Sequence, residues 1–424
     1  MAGRLAGSIL RWLATAAAVA GFGAAAWWSV RAGWADYWAR QETVAGTEKA
    51  LTAMPGRGEY EARLAALVAD ENPQRADEAL RRAVALDPLD AQSWIELGLR
   101  AEGNGDDAGA EQCLRRAADA DVRYLPRWTL ANYYFRRNDS ERFWYWAKAA
   151  AQMAYGDPMP LFRLCGRIEE DGKLIERLEI RDPDARADYV AYLLGEKRVD
   201  LIGPAVGLML DENRRADVPL LLTACDGLIA AQRTDEAVEV WNGLGRAGRI
   251  PFAELAPARG AVLTNGTFAV SPTSRGFDWR LPTAAGIAAA REEDPVGLRL
   301  TFSGRQAENV EALAQYAPAQ ESTQYVLKFR YRTSGIGAGT GLGWRISDLS
   351  GASLGAGGSL SSEAETEDQV AFRTPAGCSM VRLGLEYRRS SGTTRIEGLV
   401  ILRNVRLEPA AQPPSAGGVR SRLR

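Results

Sequence analysis

Ala76 and Ala110 are 34 residues apart, Ala83 and Ala117 keep that interval, and so do Leu80 and Leu114. Positions i, i+4 and i+7 of a helix share one face, so Ala76, Leu80 and Ala83 form a stripe, and the second set repeats it. Small residues in such a stripe let two helices approach closely, and leucines fill the remaining gaps. A period of 34 holds two short helices and their turns, a unit that cannot bury its apolar face alone and must stack on copies of itself. The frame extends in both directions. The first repeat runs from Arg57 to Asp90, with Tyr60 in its first helix and a second helix from Arg75 to Leu86 stopped by Asp87-Pro88. The second, Ala91 to Arg123, carries Trp94, Leu97 and Gly98, then a turn at Gly105. The third starts near Tyr124, with Leu130, Ala131 and Tyr134 in its first helix and Phe143, Ala147 and Ala150 in its second.

The W-x2-L-G spacing of Trp94, Leu97 and Gly98, with the alanine slots and Pro88, resembles the tetratricopeptide (TPR) pattern. Such a stack binds extended peptides or partner helices along the face made by its first helices, and it carries no chemistry of its own. The resemblance implies a protein partner and places the groove at Gln92, Ile95 and Leu99 in the second repeat, and at Trp128, Asn132, Phe135 and Arg136 in the third. Some of these aromatics are equally suited to packing between repeats. The pattern weakens from Asp157 to Val218, where Leu161–Glu170 with Lys173–Ile180, and Ala187–Leu194 with Leu201–Leu210, read as shortened pairs. It returns at Leu220–Ala231 and Thr234–Leu244. Five or six helical pairs over 57–257 are expected.

Trp12 to Val30 is a run of 19 residues without a charge. As a helix it would extend about 28 Å, close to the thickness of a bilayer core. Arg4 and Arg11 precede it and Trp12, Trp27 and Trp28 mark its edges, as in an interfacial aromatic belt. The reading is a single-pass anchor in a bacterial inner membrane, with residues 1–11 cytoplasmic, 12–30 transmembrane, 31–56 a juxtamembrane helix and linker, and the bulk periplasmic. The competing reading is a signal peptide cleaved near Ala26, since Ala24-Ala25-Ala26 offers a small-residue site.

Near Gly260 the period changes from helical to alternating. Leu298, Leu300 and Phe302 alternate with Arg299 and Thr301. Tyr325, Leu327, Phe329 and Tyr331 alternate with Lys328, Arg330 and Arg332. Val381, Leu383, Leu385 and Tyr387 alternate with Arg382, Glu386 and Arg388. Glycine-rich turns fall at 335–343 and 351–358, and Leu399–Leu407 reads as a buried closing strand. Eight to ten short strands over 258–409 predict a two-sheet sandwich or jelly roll. The segments Asn265-Gly266-Thr267-Phe268, Gly276-Phe277-Asp278-Trp279 and Tyr325-Val326-Leu327-Lys328-Phe329 are similar to galactose-binding-type carbohydrate-binding modules. That resemblance implies sugar stacking on exposed aromatics, with Phe277, Trp279 and Trp344 as candidates, or alternatively core positions for the same rings. It also implies a structural calcium near the opening strand, where an acid commonly follows the phenylalanine; here Ala269 stands instead. Lys328, Arg330, Arg332, Arg382 and Arg388 read as one basic face, either contacting an acidic glycan through bidentate bonds or simply solvated. Residues 410–424 read as a disordered Ala/Pro/Ser/Gly-rich tail.

A net charge of −2 argues against a nucleic-acid partner. With no histidine, Ser-His-Asp and Cys-His catalysis and His-ligated zinc fall away. Cys113, Cys165, Cys225 and Cys378 form no CxxC, and the first three sit at small-residue helix positions as buried hydrophobes. Glu292, Glu293 and Asp294 read as a solvated loop, and Asp278 as a turn former. No catalytic or metal-binding set emerges. The fold class expected is multidomain α + β: an anchor helix, a TPR stack and a β-sandwich. The function expected is a non-enzymatic envelope scaffold linked to exopolysaccharide assembly, and the alternatives are a carbohydrate-binding protein with the stack as spacer or a purely structural assembly factor.

Overall fold

A computed structural model describes residues 2–153, 158–168 and 173–410, with the side chains of 2–11 and 14 excluded. The expected tail at 411–424 and the end of the Leu161–Glu170 helix lie outside the described residues. The chain forms two compact units, Met1–Ala185 and Arg186–Arg424, so the last helical pairs belong with the sandwich.

In the first unit, α1 (Ala2–Ala39) leads to α2 (Val44–Ala53). Then come three pairs: α3 (Gly58–Val68) with α4 (Pro73–Leu86), α5 (Ala91–Gly103) with α6 (Asp107–Ala120), and α7 (Tyr124–Arg136) with α8 (Ser140–Ala151). Short helices α9 (Met159–Cys165) and α10 (Leu174–Leu178) follow. The turns are written in capping residues. Asn72, Asp90, Asp106 and Asp139 each accept backbone N–H bonds at the start of α4, α5, α6 and α8, and Pro73 occupies the first turn of α4. The repeat slots are fully inside: Ala76, Ala83, Ala110, Leu114, Ala117, Ala147 and Ala150 are all 0% exposed. Gly98 shows why the slot must be small, since a Cβ there would stand 2.8 Å from Leu114 Cδ2.

The N-terminal reading changes at α2. Within residues 31–56, expected as a juxtamembrane helix and linker, lies α2, whose Ala50, with Met54 just after it, packs against Ala35, Ala39 and Tyr60. The Tyr60 hydroxyl donates to Asp36, tying α3 to the end of α1. Among the described residues no helix is long and apolar enough to cross a membrane. Helix α1 has the length, but eight alanines dilute the apolarity of its 12–30 stretch.

Helix α11 (Pro183–Gly195) begins at the end of the first unit and continues into the second, where α12 (Gly203–Glu212), α13 (Val218–Ala230) and α14 (Thr234–Arg246) precede, among the described residues, nine strands. These are β1 (Ile287–Glu293), β2 (Val296–Ser303), β3 (Asn309–Pro318), β4 (Gln324–Ser334), β5 (Leu342–Asp348), β6 (Ser353–Ala356), β7 (Thr366–Arg373), β8 (Met380–Arg388) and β9 (Glu397–Pro409). They make two antiparallel sheets, a five-stranded one ordered β1-β2-β9-β4-β7 and a four-stranded one ordered β3-β8-β5-β6. Glu292 and Glu293, expected in a loop, lie in the β1–β2 hairpin, where Glu293 pairs with Val296. Part of the expected 351–358 turn is β6. The inward residues of both sheets form one core around Trp279, Trp344, Phe329, Leu300, Leu385 and Tyr387.

The α13–α14 pair is built into the sandwich by polar and aromatic contacts. The Asp226 carboxylate accepts from the Gly276 backbone N–H at 2.8 Å and from Arg280 Nη2 at 2.7 Å. Trp241 stacks on Phe252 and meets Phe277 edge-on with centroids 6.0 Å apart. Gly276 has φ +53°, and a Cβ there would fall 2.4 Å from the Trp241 ring, so only glycine fits. Cys165 and Cys225 are buried and Cys113 is partly so. Burial pushes the Cys165 thiol up to about 12, leaving it unreactive.

Candidate functional site

The outer side of the four-stranded sheet is a groove of about 500 Å³ lined by Glu311, Tyr316, Arg345, Asp348, Arg382, Gly384, Glu386 and Arg388. Strand alternation puts Arg382, Gly384, Glu386 and Arg388 of β8 outward, while Val381, Leu383, Leu385 and Tyr387 point into the core. Strand β5 adds Arg345 beside them, and β3, irregular in register between Glu311 and Leu313, brings Glu311 and Tyr316 along the other side. The floor is bare at Gly384, where a Cβ would meet Glu311 Oε2 at 3.2 Å.

The charges in this groove are interlocked. Arg382 donates through Nε to Glu311 at 3.0 Å and through Nη1 to the Tyr316 hydroxyl at 3.2 Å. Burial works against the charge on Arg382, but the bonds and charge of Glu311 outweigh it and hold the guanidinium above its ordinary value. Arg345 and Arg388 share Glu386, at 3.3 and 2.8 Å. Arg280 and Arg382 lie over the Tyr316 ring, 4.5 and 5.3 Å from its centroid. Asp348 closes one end by accepting from Ser350 Oγ at 2.6 Å and from Ala352 N at 2.9 Å. The Ser350 bond first, with the backbone bonds, holds its carboxyl below the ordinary 3.8. The result is a set of fixed donors and acceptors in close alternation, suited to pairs of hydroxyl groups.

The sequence-predicted glycan residues separate. Phe277 and Trp279 are 0% exposed, so neither offers a stacking face. Phe277 packs on Trp241. Trp279 packs between Phe268 and Trp344 and donates its indole N–H to Asn265 O at 3.0 Å. Trp344 is buried too, in phase with Ile346. The expected single basic face is two faces. Arg382 and Arg388 belong to the four-stranded sheet, whereas Lys328, Arg330 and Arg332 point outward from the five-stranded one. Lys328 pairs with Glu408 at 2.8 Å and Arg330 with Glu367 at 3.3 Å. Sequence reading missed Glu311 and Tyr316 because β3 escaped notice and its alternation is broken by the irregularity after Glu311; it missed Asp348 and Gly384 because their part in the groove depends on the strands paired beside them. Asp278 is buried and holds the 265–273 loop through Thr273 and Asn265; burial raises its pKa against those bonds.

At the opening segment the carbonyls of Phe268 and Ala269 accept from the Arg291 guanidinium at 2.8 and 2.9 Å. These residues do not fit a calcium ion, since a cationic side chain already takes the oxygens. Among the described residues no group of three or more acidic or cysteine side chains is placed to hold a metal.

In the helical unit, Gln92 and Ile95 line a groove of about 760 Å³ with Leu89, Asp121, Tyr124 and Leu125. Leu89 and Leu125 are 75% and 48% exposed there. The other expected groove residues lie elsewhere. Leu99 is exposed beyond the groove, and Asn132 donates back to its own helix at Trp128 O. Trp128 stacks on Tyr124, Phe135 packs on Phe143, and Arg136 is clamped bidentately on Glu102.

No protein-family model matches the sequence, and no curated protein matches it. Among solved structures, one titled "CBM4 structure and function" is similar over 34% of this chain and 98% of that chain, at 11% identity and a TM-score of 0.28. A MamA protein is similar over 40% and 92%, at 18% identity and a TM-score of 0.29. PilF of Pseudomonas aeruginosa is similar over 52% and 90%, at 16% identity and a TM-score of 0.24.

Proposed function

We propose that the chain is a non-enzymatic scaffold of the bacterial cell envelope. In this reading the helical pairs hold a protein partner, the outer face of the four-stranded sheet holds a polysaccharide, and α1 attaches the chain to the inner membrane with the bulk in the periplasm. The groove over Gly384 carries the reading. Its arginines face Glu311 and Glu386 at close range, so the ligand it suits is a neutral, hydroxyl-rich glycan rather than a polyanion. In this reading Arg291, in place of a calcium ion, holds the opening segment. The apolar groove at Leu89 and Leu125 supports a peptide partner for the helical unit. The exposure of every described side chain from Trp12 to Val30 supports insertion of α1 into lipid.

The test is retention of the detergent-solubilised full chain on an array of neutral and acidic polysaccharides at low and moderate salt. Neutral-glycan retention that survives moderate salt is the expected result. Retention only by acidic glycans, lost with salt, would replace the neutral ligand by a uronate-bearing one. No retention at all would move the function to the helical groove and leave a protein-assembly factor.

A further inference from the structure

Helix α1 has two regimes. Up to Val30 its described side chains are exposed, with Trp12 at 74% and Phe22 at 78%. From Ala35 it is packed on α2, where Ala35 and Ala50 are both 0% exposed. At the junction lies a groove of about 730 Å³ whose lining includes Trp27, Arg31, Trp34, Trp38, Lys49 and Thr52. Trp27, Arg31, Trp34 and Trp38 recur at helical spacing on one stripe of α1, and Lys49 comes across from α2 to sit 3.8 Å over the Trp38 ring. Among the described residues neither Arg31 nor Lys49 is paired with a carboxylate; the nearby Asp36 accepts from Tyr60 and Glu48 pairs with Arg75. The groove therefore joins three tryptophans to two uncompensated cations, and it is continuous with the exposed apolar stretch of α1.

We infer that this groove seats against the surface of a bilayer containing anionic phospholipid, an inference that rests on the proposed attachment of α1. Tryptophan is favoured at the level of the glycerol and headgroup region, because its ring is apolar and its N–H polar. With the stretch before Trp27 among the acyl chains, that level falls at Trp27 and Trp34, which brings Arg31 and Lys49 to the phosphates. A nonspecific apolar partner would leave both cations without a role; a phosphate-bearing surface uses rings and charges together. Each basic group near an anionic surface strengthens binding by several-fold, and the gain is screened by salt.

The experiment is flotation of the full chain with vesicles of phosphatidylcholine alone and with vesicles that also contain phosphatidylglycerol. Wild type is expected to bind both, with roughly tenfold preference for the anionic vesicles that fades as salt rises. The Arg31→Glu/Lys49→Glu double variant is expected to keep binding neutral vesicles and to lose the preference. Arg31→Gln/Lys49→Gln should lose most of it, and Arg406→Glu, a charge reversal on β9 of the second unit, should keep it. Equal binding to both vesicle types by wild type, or a preference that survives the double reversal, overturns the inference while leaving the attachment standing. Failure to bind either vesicle, with self-association through the groove instead, overturns both.

Discussion

The two sheets of the sandwich both present cations outward, and they use them differently. On the five-stranded sheet Lys328 and Arg330 each have a carboxylate of their own on a neighbouring strand, Glu408 on β9 and Glu367 on β7, and Arg330 stands directly opposite Glu367 in the register. On the four-stranded sheet Arg345 and Arg388 share one carboxylate and Arg382 holds another, around a floor where Gly384 removes the side chain. Charge alone does not separate the faces. What separates them is the missing side chain and the turn at Asp348, which together make a recess with fixed polar walls. A run of alternating Arg and apolar residues thus gives the strand and its facing; the site arises from what stands on the strands beside it.

The largest effect is expected from the inward side. Trp279→Ala removes a fully buried indole against Phe268 and Trp344 and should cost about 3–5 kcal/mol of unfolding free energy, measured by chemical denaturation. Any glycan binding should be lost only in step with the fold. A variant of native stability that no longer binds glycan would restore Trp279 as a ligand contact and erase the distinction drawn between the faces.

Arg382→Ala sharpens the comparison next. The Arg382–Glu311 pair is about one-third exposed on each side, so solvent screening keeps its contribution to stability within about 1 kcal/mol. Neutral-glycan retention should nevertheless fall at least tenfold, roughly the loss expected when two or more directed hydrogen bonds go. Unchanged retention would remove the groove from the proposed function.

The helical half was legible because its constraint is local and periodic. Ala76, Leu80 and Ala83 recur as Ala110, Leu114 and Ala117, Asp87-Pro88 and Gly105 mark the stops between helices, and the pairs follow. Helix α2 was hidden because Val44–Ala53 has no recurrent partner in the frame and is held by the end of α1. In the sandwich, strands β2, β4 and β8 were readable from strict alternation. The placing of β4 and β8 in different sheets was not, since it depends on the pairing of β4 with β7 and β9, and of β8 with β3 and β5, contacts distant in sequence. The same holds for Phe277 and Trp279. A Phe-x-Trp alternation fits an exposed platform as well as a plug, and burial is decided by Trp241, Phe268 and Trp344 arriving from elsewhere.

A smaller effect is expected at the end of the groove. The Asp348 carboxyl is held below its ordinary 3.8 by Ser350 first and then by backbone N–H groups, so its ionised form is favoured in the folded state. Its contribution is present above the unfolded value and is lost as pH falls through the lower folded value. Retention on a neutral glycan should therefore weaken below about pH 3.8 in wild type. Asp348→Ala should already be a few-fold weaker at neutral pH and lose less on acidification. An identical acid profile in both proteins would mean that the turn does not shape the groove.

The smallest effect tests the comparison from its other side. Lys328→Ala, Arg330→Ala and Arg332→Ala combined remove the outward cations of β4, where the described ion pairs are solvent-exposed. Exposed pairs of this kind contribute about 0–1 kcal/mol each, and alanine leaves the inward alternation of Tyr325, Leu327, Phe329 and Tyr331 untouched. Denaturation midpoints should move little, and retention on neutral glycans should stay within about twofold of wild type, because no group in the groove has lost a partner. A large loss of retention in a folded triple variant would place the ligand on the five-stranded sheet. The recess over Gly384 would then be a by-product of packing rather than the reason the two faces differ.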